Sequence, residues 1–195
     1  MDLYIPQIDE VGGYSMCSEP SKFDKDGVLD LAIKYSTWAP AHWIHTKASV
    51  NDELQFRFGG DYHYPHNTIN AKEPHRLVLI AGGVGINPLI SMALHASDIG
   101  LPVETHLLYS AKTEEELIFK NELDALTQRD SGFHVQYRVT NSEARIGVND
   151  LEGFLSTDKP TYFYICGPAA MVKDVNASLL QRGVTKEKIF YELWT

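Results

Sequence analysis

From Arg76 onward the chain alternates between continuous apolar runs and stretches whose apolar residues recur at helical spacing. RLVLIA (76–81) is unbroken by polar residues after its first position, as expected of a strand buried on both faces. Leu89, Met92, Ala93, Ala96 and Ile99 then fall on one face of a helix, with Gly100 available as its C-cap. VETHLLYS (103–110), FHVQYRVT (133–140), TYFYIC (161–166) and KIFYELW (188–194) read as four further strands. Helices are expected over roughly 114–127, near 148–155, and from Pro168 to about Arg182, the last burying Met171, Val172, Val175 and Leu179. Five strands joined by helical crossovers predict a doubly wound, parallel α/β sheet.

The first 75 residues have another rhythm. YSMCS (14–18), LDLAIKYS (29–36) and ELQFRF (53–58) are short strand-like runs separated by Gly, Pro, Asp and Ser. APAHWIHTKA (39–48) predicts a short helical turn opened by Pro40, and residues 59–74 are rich in turn formers and read as a linker. The change of pattern divides the chain into 1–75 and 76–195. Strand-like DLYIP stands almost at the first residue, as in a fragment or a short isoform.

Composition narrows the partners. A formal net charge of −9 without a basic block argues against nucleic acid or an anionic membrane surface. No apolar run approaches the roughly 20 residues that span a bilayer. Two cysteines are too few for a disulfide framework and suit a reducing intracellular compartment, cytoplasm or mitochondrion. In so acidic a chain, a phosphate pocket has to be built locally from backbone N–H groups and a few chosen cations.

RLVLIAGGVGINPLISM (76–92) has the form of such a pocket: strand, glycine turn, helix. Gly82, Gly83 and Gly85 let the backbone turn tightly and approach a pyrophosphate. Asn87 suits an N-cap and Pro88 a first helical position, so the helix would start at Pro88 with its positive dipole end toward the turn. YFYICGPAAMV repeats the logic with Cys166, Gly167 and Pro168. Two such junctions fit two walls of one crevice at the carboxyl ends of parallel strands.

AGGVGINPL, YICGPAAM and the near-terminal FYELW together resemble the NAD(P)-binding half of the ferredoxin–NADP reductase superfamily, and residues 1–70 look like the back half of its antiparallel, flavin-binding β-barrel. Within it, the chain most resembles the oxidoreductase NAD-binding domain-containing protein family, whose members show GG(F/Y)S, AGGVGINPL, YSAK, FYICGP and a Trp near the end. The resemblance implies an NAD(P)H oxidoreductase that passes hydride to FAD and electrons onward to an acceptor protein or haem. It places the coenzyme pyrophosphate on Gly82, Gly83, Val84, Gly85, Ile86 and Asn87, with Pro88 opening the helix. Gly167 and Pro168 form the second wall, and Cys166 lines the nicotinamide pocket. Glu192 and Trp194 match an acidic–aromatic pair beside the isoalloxazine, and Tyr14 and Ser15 match a Tyr-Ser pair on the flavin.

Departures leave a rival reading open. The family's arginine before Tyr-Ser is replaced here by Gly12-Gly13, and its Gly-x-x-Ser by APAHW near Ala39–Trp43. These departures favour an NAD(P)-binding module without functional flavin, while the second junction and the terminal Glu192 and Trp194 favour the oxidoreductase; a third reading is one half of an electron-transfer complex. Ser110 and Lys112 stand where an acidic residue would favour NAD and an arginine NADP, so the coenzyme stays NAD(P). Cys166 also suits simple burial, and Glu192 with Trp194 an ordinary edge strand. His42, His45, His63 and His66 lack a structural-zinc ligand set, and Glu114–Glu116 read as a solvated helix start. Ser91 and Ser110 have no nucleophile elbow.

Overall fold

A computed structural model describes residues 1–156 and 158–193. Its N-terminal part holds a small antiparallel sheet of β1 (Asp2–Tyr4), β2 (Gly12–Gly13) and β3 (Gln55–Arg57), in the order β2-β1-β3. Between its strands lie α1 (Pro20–Asp26) and α2 (Ala39–Thr46). The helical turn expected at 39–48 is α2, whose Pro40 and Ala41 are buried.

Two expected strands do not form. YSMCS and LDLAIKYS meet only at one antiparallel bridge, Met16 to Leu31. The carbonyl that the next rung would use, Ala32 O, is taken by the Asn87 amide, which donates to it at 2.7 Å; the outward Ile33 O lies 2.8 Å from His45 Nε2. α1 has no counterpart among the expected elements. Pro20 opens it, and Gly27 closes it at φ +65°, donating to Phe23 O, but it buries no residue and so shows no apolar period.

The larger sheet comprises β4 (His75–Gly82), β5 (Val103–Ala111), β6 (Phe133–Val139), β7 (Thr161–Gly167) and β8 (Ile189–Leu193). All its pairings are parallel, in the order β6-β5-β4-β7-β8. Every residue of β4 is buried, which explains its unbroken apolar run. Leu77, Leu79 and Ala81 face a core shared with α3 (Ile86–Asp98) and α4 (Lys120–Arg129), including Leu89, Leu123 and Leu126. Val78 and Ile80 face the opposite core, with Leu151 of α5 (Val148–Leu151) and with Val172, Val175 and Leu179 of α6 (Ala169–Gln181). Helices thus cover both faces, and each fully buried aliphatic side chain contributes about 2 kcal/mol. The chain winds outward from β4 through β5 to β6, then crosses to β7 and β8. Its direction reverses between β4 and β7, where such sheets open a crevice.

Three boundaries differ from expectation. The helix expected from Glu114 begins only at Lys120, because Phe119 adopts φ +63°; Glu114–Glu116 lie in a turn closed by Leu117 N–H to Glu114 O. α3 starts at Ile86, so Pro88 is its third residue and Asn87 is not its cap. The 59–74 stretch connects the sheets but is packed: Tyr64 and Ile69 enter the core, and Tyr64 Oη lies 2.6 Å from His75 Nε2.

Candidate functional site

The carboxyl ends of β4 and β7 touch through glycines. A Cβ on Gly82 would lie 2.8 Å from Pro168 Cδ and from Met171 Sδ, and one on Gly85 would lie 2.2 Å from the Cys166 carbonyl oxygen. Both junctions therefore interlock only because these positions lack side chains. Gly83 differs: its φ is +55° and nothing lies within 4 Å of the missing Cβ, so its surface is open. Gly83–Gly85 form a 3₁₀ turn leading directly into α3, whose positive dipole end meets this crest.

A cleft of about 580 Å³ runs along the strand ends. Gly167 and Pro168 bound it at β7, Gly82, Gly83 and Val84 at β4, Ser110 and Lys112 at β5, and Thr140 just past β6. Of the residues expected on the pyrophosphate, Gly85, Ile86, Asn87 and Pro88 do not line this cleft; all four are buried behind it. Asn87 instead ties α3 to the N-terminal segment through Ala32 O, and its own Oδ1 is buried with no partner among the described residues. Ser110 is also buried, its hydroxyl donating to Ala81 O at 3.2 Å.

Two cations that the sequence reading missed join the lining. Lys34 arrives from the N-terminal segment and pairs with Glu116 at 3.2 Å. Arg145 comes from the loop after β6 and is exposed. Neither was legible: Lys34 sat in an expected strand, and Arg145 in a polar turn without a motif.

Beside the cleft, the N-terminal segment meets the end of the sheet. Glu192 lies opposite Cys166 in the β7–β8 register, and the Ser15 hydroxyl donates to Glu192 Oε2 at 3.3 Å. Cys166 is fully buried; burial, reinforced by the Glu192 charge, pushes its thiol well above the ordinary range. Cys166 is thus a buried, neutral thiol, and it does not line the cleft, although the sequence pattern places it on the nicotinamide pocket. The Tyr14 ring stands 6.0 Å from Trp38, and its hydroxyl is buried with no partner among the described residues. Tyr62, in the stretch read as a linker, has a second such hydroxyl, which burial holds protonated with Cys166 and Glu192 nearby. Trp194 lies outside the described residues.

The model of the oxidoreductase NAD-binding domain matches residues 79–177, which contain both glycine junctions. Oxidoreductase NAD-binding domain-containing protein 1 of Danio rerio is 36% identical over 216 residues, covering all of this chain and 79% of that protein. The chain belongs to the oxidoreductase NAD-binding domain-containing protein family. The fold of this family member is that of ferredoxin reductase-like proteins. The cytochrome P450 reductase of Amycolatopsis superposes with a TM-score of 0.77 at 19% identity, over 98% of this chain and 59% of that one. A ferredoxin NADP⁺ reductase of Neisseria gonorrhoeae, solved with bound FAD and NADP, gives 0.67 at 20% identity, over 98% and 84%. Among the described residues, no helix of this family member is long and apolar enough to cross a membrane.

Proposed function

We propose that this chain is a flavin-dependent NAD(P)H oxidoreductase of the ferredoxin reductase type, with residues 1–75 on the flavin side and 76–195 on the nicotinamide side. One observation carries the reading: Ser15 of the N-terminal segment bonds Glu192, which faces Cys166 beside the glycine crest. The residues at hand fit both nucleotides. The open surface of Gly83 and the dipole end of α3 suit a pyrophosphate. The Tyr14 hydroxyl, without a partner among the described residues, suits a ring with polar edges.

When bound, the flavin supplies the step from two-electron hydride acceptance to single-electron delivery to an acceptor protein. The chain's own residues position and insulate. Gly82–Val84 and Gly167–Pro168 would hold the coenzyme across β4 and β7. Cys166, kept neutral by burial, would sit behind the nicotinamide pocket without competing as a nucleophile. Ser15 would fix the Glu192 carboxylate, and Tyr14 would flank the flavin ring. With no arginine at Gly12 or Gly13, the first turn of α2 would meet the flavin phosphates.

A second reading, an NAD(P)-binding module without flavin, is favoured by the shortness of the N-terminal strands, none longer than 3 residues. The visible absorption spectrum of the purified protein, before and after anaerobic addition of NADH or NADPH, separates the two. A flavin spectrum that bleaches with reductant supports the oxidoreductase. A colourless protein that takes up no added FAD yet binds NAD(P) overturns it in favour of the module.

A further inference from the structure

We infer that Glu104, His106 and His134 form a binding site for a divalent transition-metal ion of the Zn²⁺ type, which ties β5 to the edge strand β6. The site stands apart from the coenzyme cleft. Glu104 and His106 lie near the start of β5, whereas Lys112 of the cleft lies just past its end. The strand between His106 and Lys112 separates the two by about 20 Å.

Sheet geometry brings the three side chains together. Glu104 and His106 are two positions apart on one strand and so project from the same face. His106 and His134 are register partners on adjacent parallel strands, with their ring centroids 4.9 Å apart. The donor atoms of all three lie within 4.8 Å of one another. Glu104 Oε1 and His106 Nε2, 2.8 Å apart, already stand as neighbouring ligands would. Around Zn²⁺, tetrahedral donors at about 2.1 Å from the ion are about 3.4 Å from each other. Reaching that spacing takes a small rotation of the His134 ring, which is exposed and has no hydrogen bond or ion pair among the described residues.

The surroundings orient the ligands. Glu104 divides its oxygens: Oε2 takes Lys159 at 2.5 Å and Arg76 at 3.6 Å, which holds the carboxylate with Oε1 toward His106. Arg76 also lies 3.5 Å from Asp158, so within this network two cations balance two carboxylates and an incoming ion meets no net positive charge. Phe154, in the 3₁₀ turn after α5, packs on His106 with ring centroids 4.9 Å apart. Two imidazoles and one carboxylate oxygen suit a zinc-like ion, whereas Mg²⁺ and Ca²⁺ take oxygen ligands; a fourth position is left to water. On binding, the metal takes the Nε2 lone pair of His106, and the ring proton resides on Nδ1. No local motif announces the set, because His134 joins it only across the β5–β6 ladder.

The test is isothermal titration of the chelator-treated full chain with zinc chloride. A single equivalent should be taken up, and Zn²⁺ should raise the melting temperature, because it binds the assembled sheet. In His134→Ala, an exposed position, the fold should persist while affinity falls about tenfold or more. His42→Ala, exposed on α2, should leave uptake unchanged. Co²⁺, a coloured substitute for Zn²⁺, should give the intense visible bands of a four-coordinate ion in the unaltered chain and lose them in His134→Ala. No uptake by the unaltered chain would overturn the site. Uptake undiminished in His134→Ala, or abolished in His42→Ala, would place the ion elsewhere and overturn it equally.

Discussion

Gly85 and the Cys166 carbonyl meet with no room for a methyl group, since a Cβ at 85 would lie 2.2 Å from that oxygen. The contact is backbone on one side: Cys166 sits in the β4–β7 ladder, while Gly85 closes the 3₁₀ turn that runs straight into α3. Gly85→Ala should therefore cost about 3 kcal/mol or more, as overpacking against rigid backbone does. Gly83→Ala meets open space and pays only for φ +55°, about 1 kcal/mol. Urea denaturation of both variants checks this contrast; equal losses would show that the crest relaxes.

Cys17 and Cys166 should both resist thiol reagents while the protein is folded. Each is buried, and burial raises each thiol above its ordinary range. Titration with a chromogenic disulfide near pH 8 should give no fast-reacting thiol in the native protein and both in denaturant. A thiol labelled within seconds in the native protein would contradict the burial described for it.

Asn87→Ala removes the amide that donates to Ala32 O and leaves that carbonyl to find another donor. The cost should be about 1 to 2 kcal/mol, and protease should cut more readily within 29–36. Limited proteolysis with mass readout locates the cut. An unchanged digestion pattern would show that the segment is held by other contacts.

Glu104 supplies the pH dependence with the clearest sign. Its carboxyl is lowered to about 2, first by the hydrogen bond from Lys159 at 2.5 Å, then by His106. A carboxyl lowered on folding stabilises the native state fully above its unfolded value and loses that contribution as pH falls through the folded value. For this half-buried network the contribution should be about 1 kcal/mol after solvent screening. Melting temperatures of the unaltered chain and of Glu104→Gln should differ at pH 6 and converge between about pH 4 and 2. A difference independent of pH would assign the loss to packing.

The parallel sheet was legible because β4 and β7 are buried on both faces and so carry unbroken apolar runs, and because the glycine–proline junctions punctuate their ends. The N-terminal segment was not. LDLAIKYS has the composition of a strand, yet its pairing competes with Asn87, which reaches the Ala32 carbonyl from 55 residues away. α1 escaped notice because a helix that buries nothing leaves no period to read, although Pro20 and Gly27 marked its ends. The glycine crest could be placed from spacing, and its exact helix start could not: the 3₁₀ turn moves α3 two residues ahead of Pro88 and turns Asn87 from a cap into a tether. Lys34 and Arg145 had no motif at all, since their convergence exists only once β5, β6 and the N-terminal segment are assembled.

The Asn87 tether gives the molecule a mechanical property. Asn87 lies in the first turn of α3, and the carbonyl it grips belongs to Ala32, two positions from Lys34. The α3 tip is thus joined to the backbone beside Lys34 by one hydrogen bond and two residues of chain. The position of the α3 tip and the stance of the N-terminal segment share one hydrogen bond.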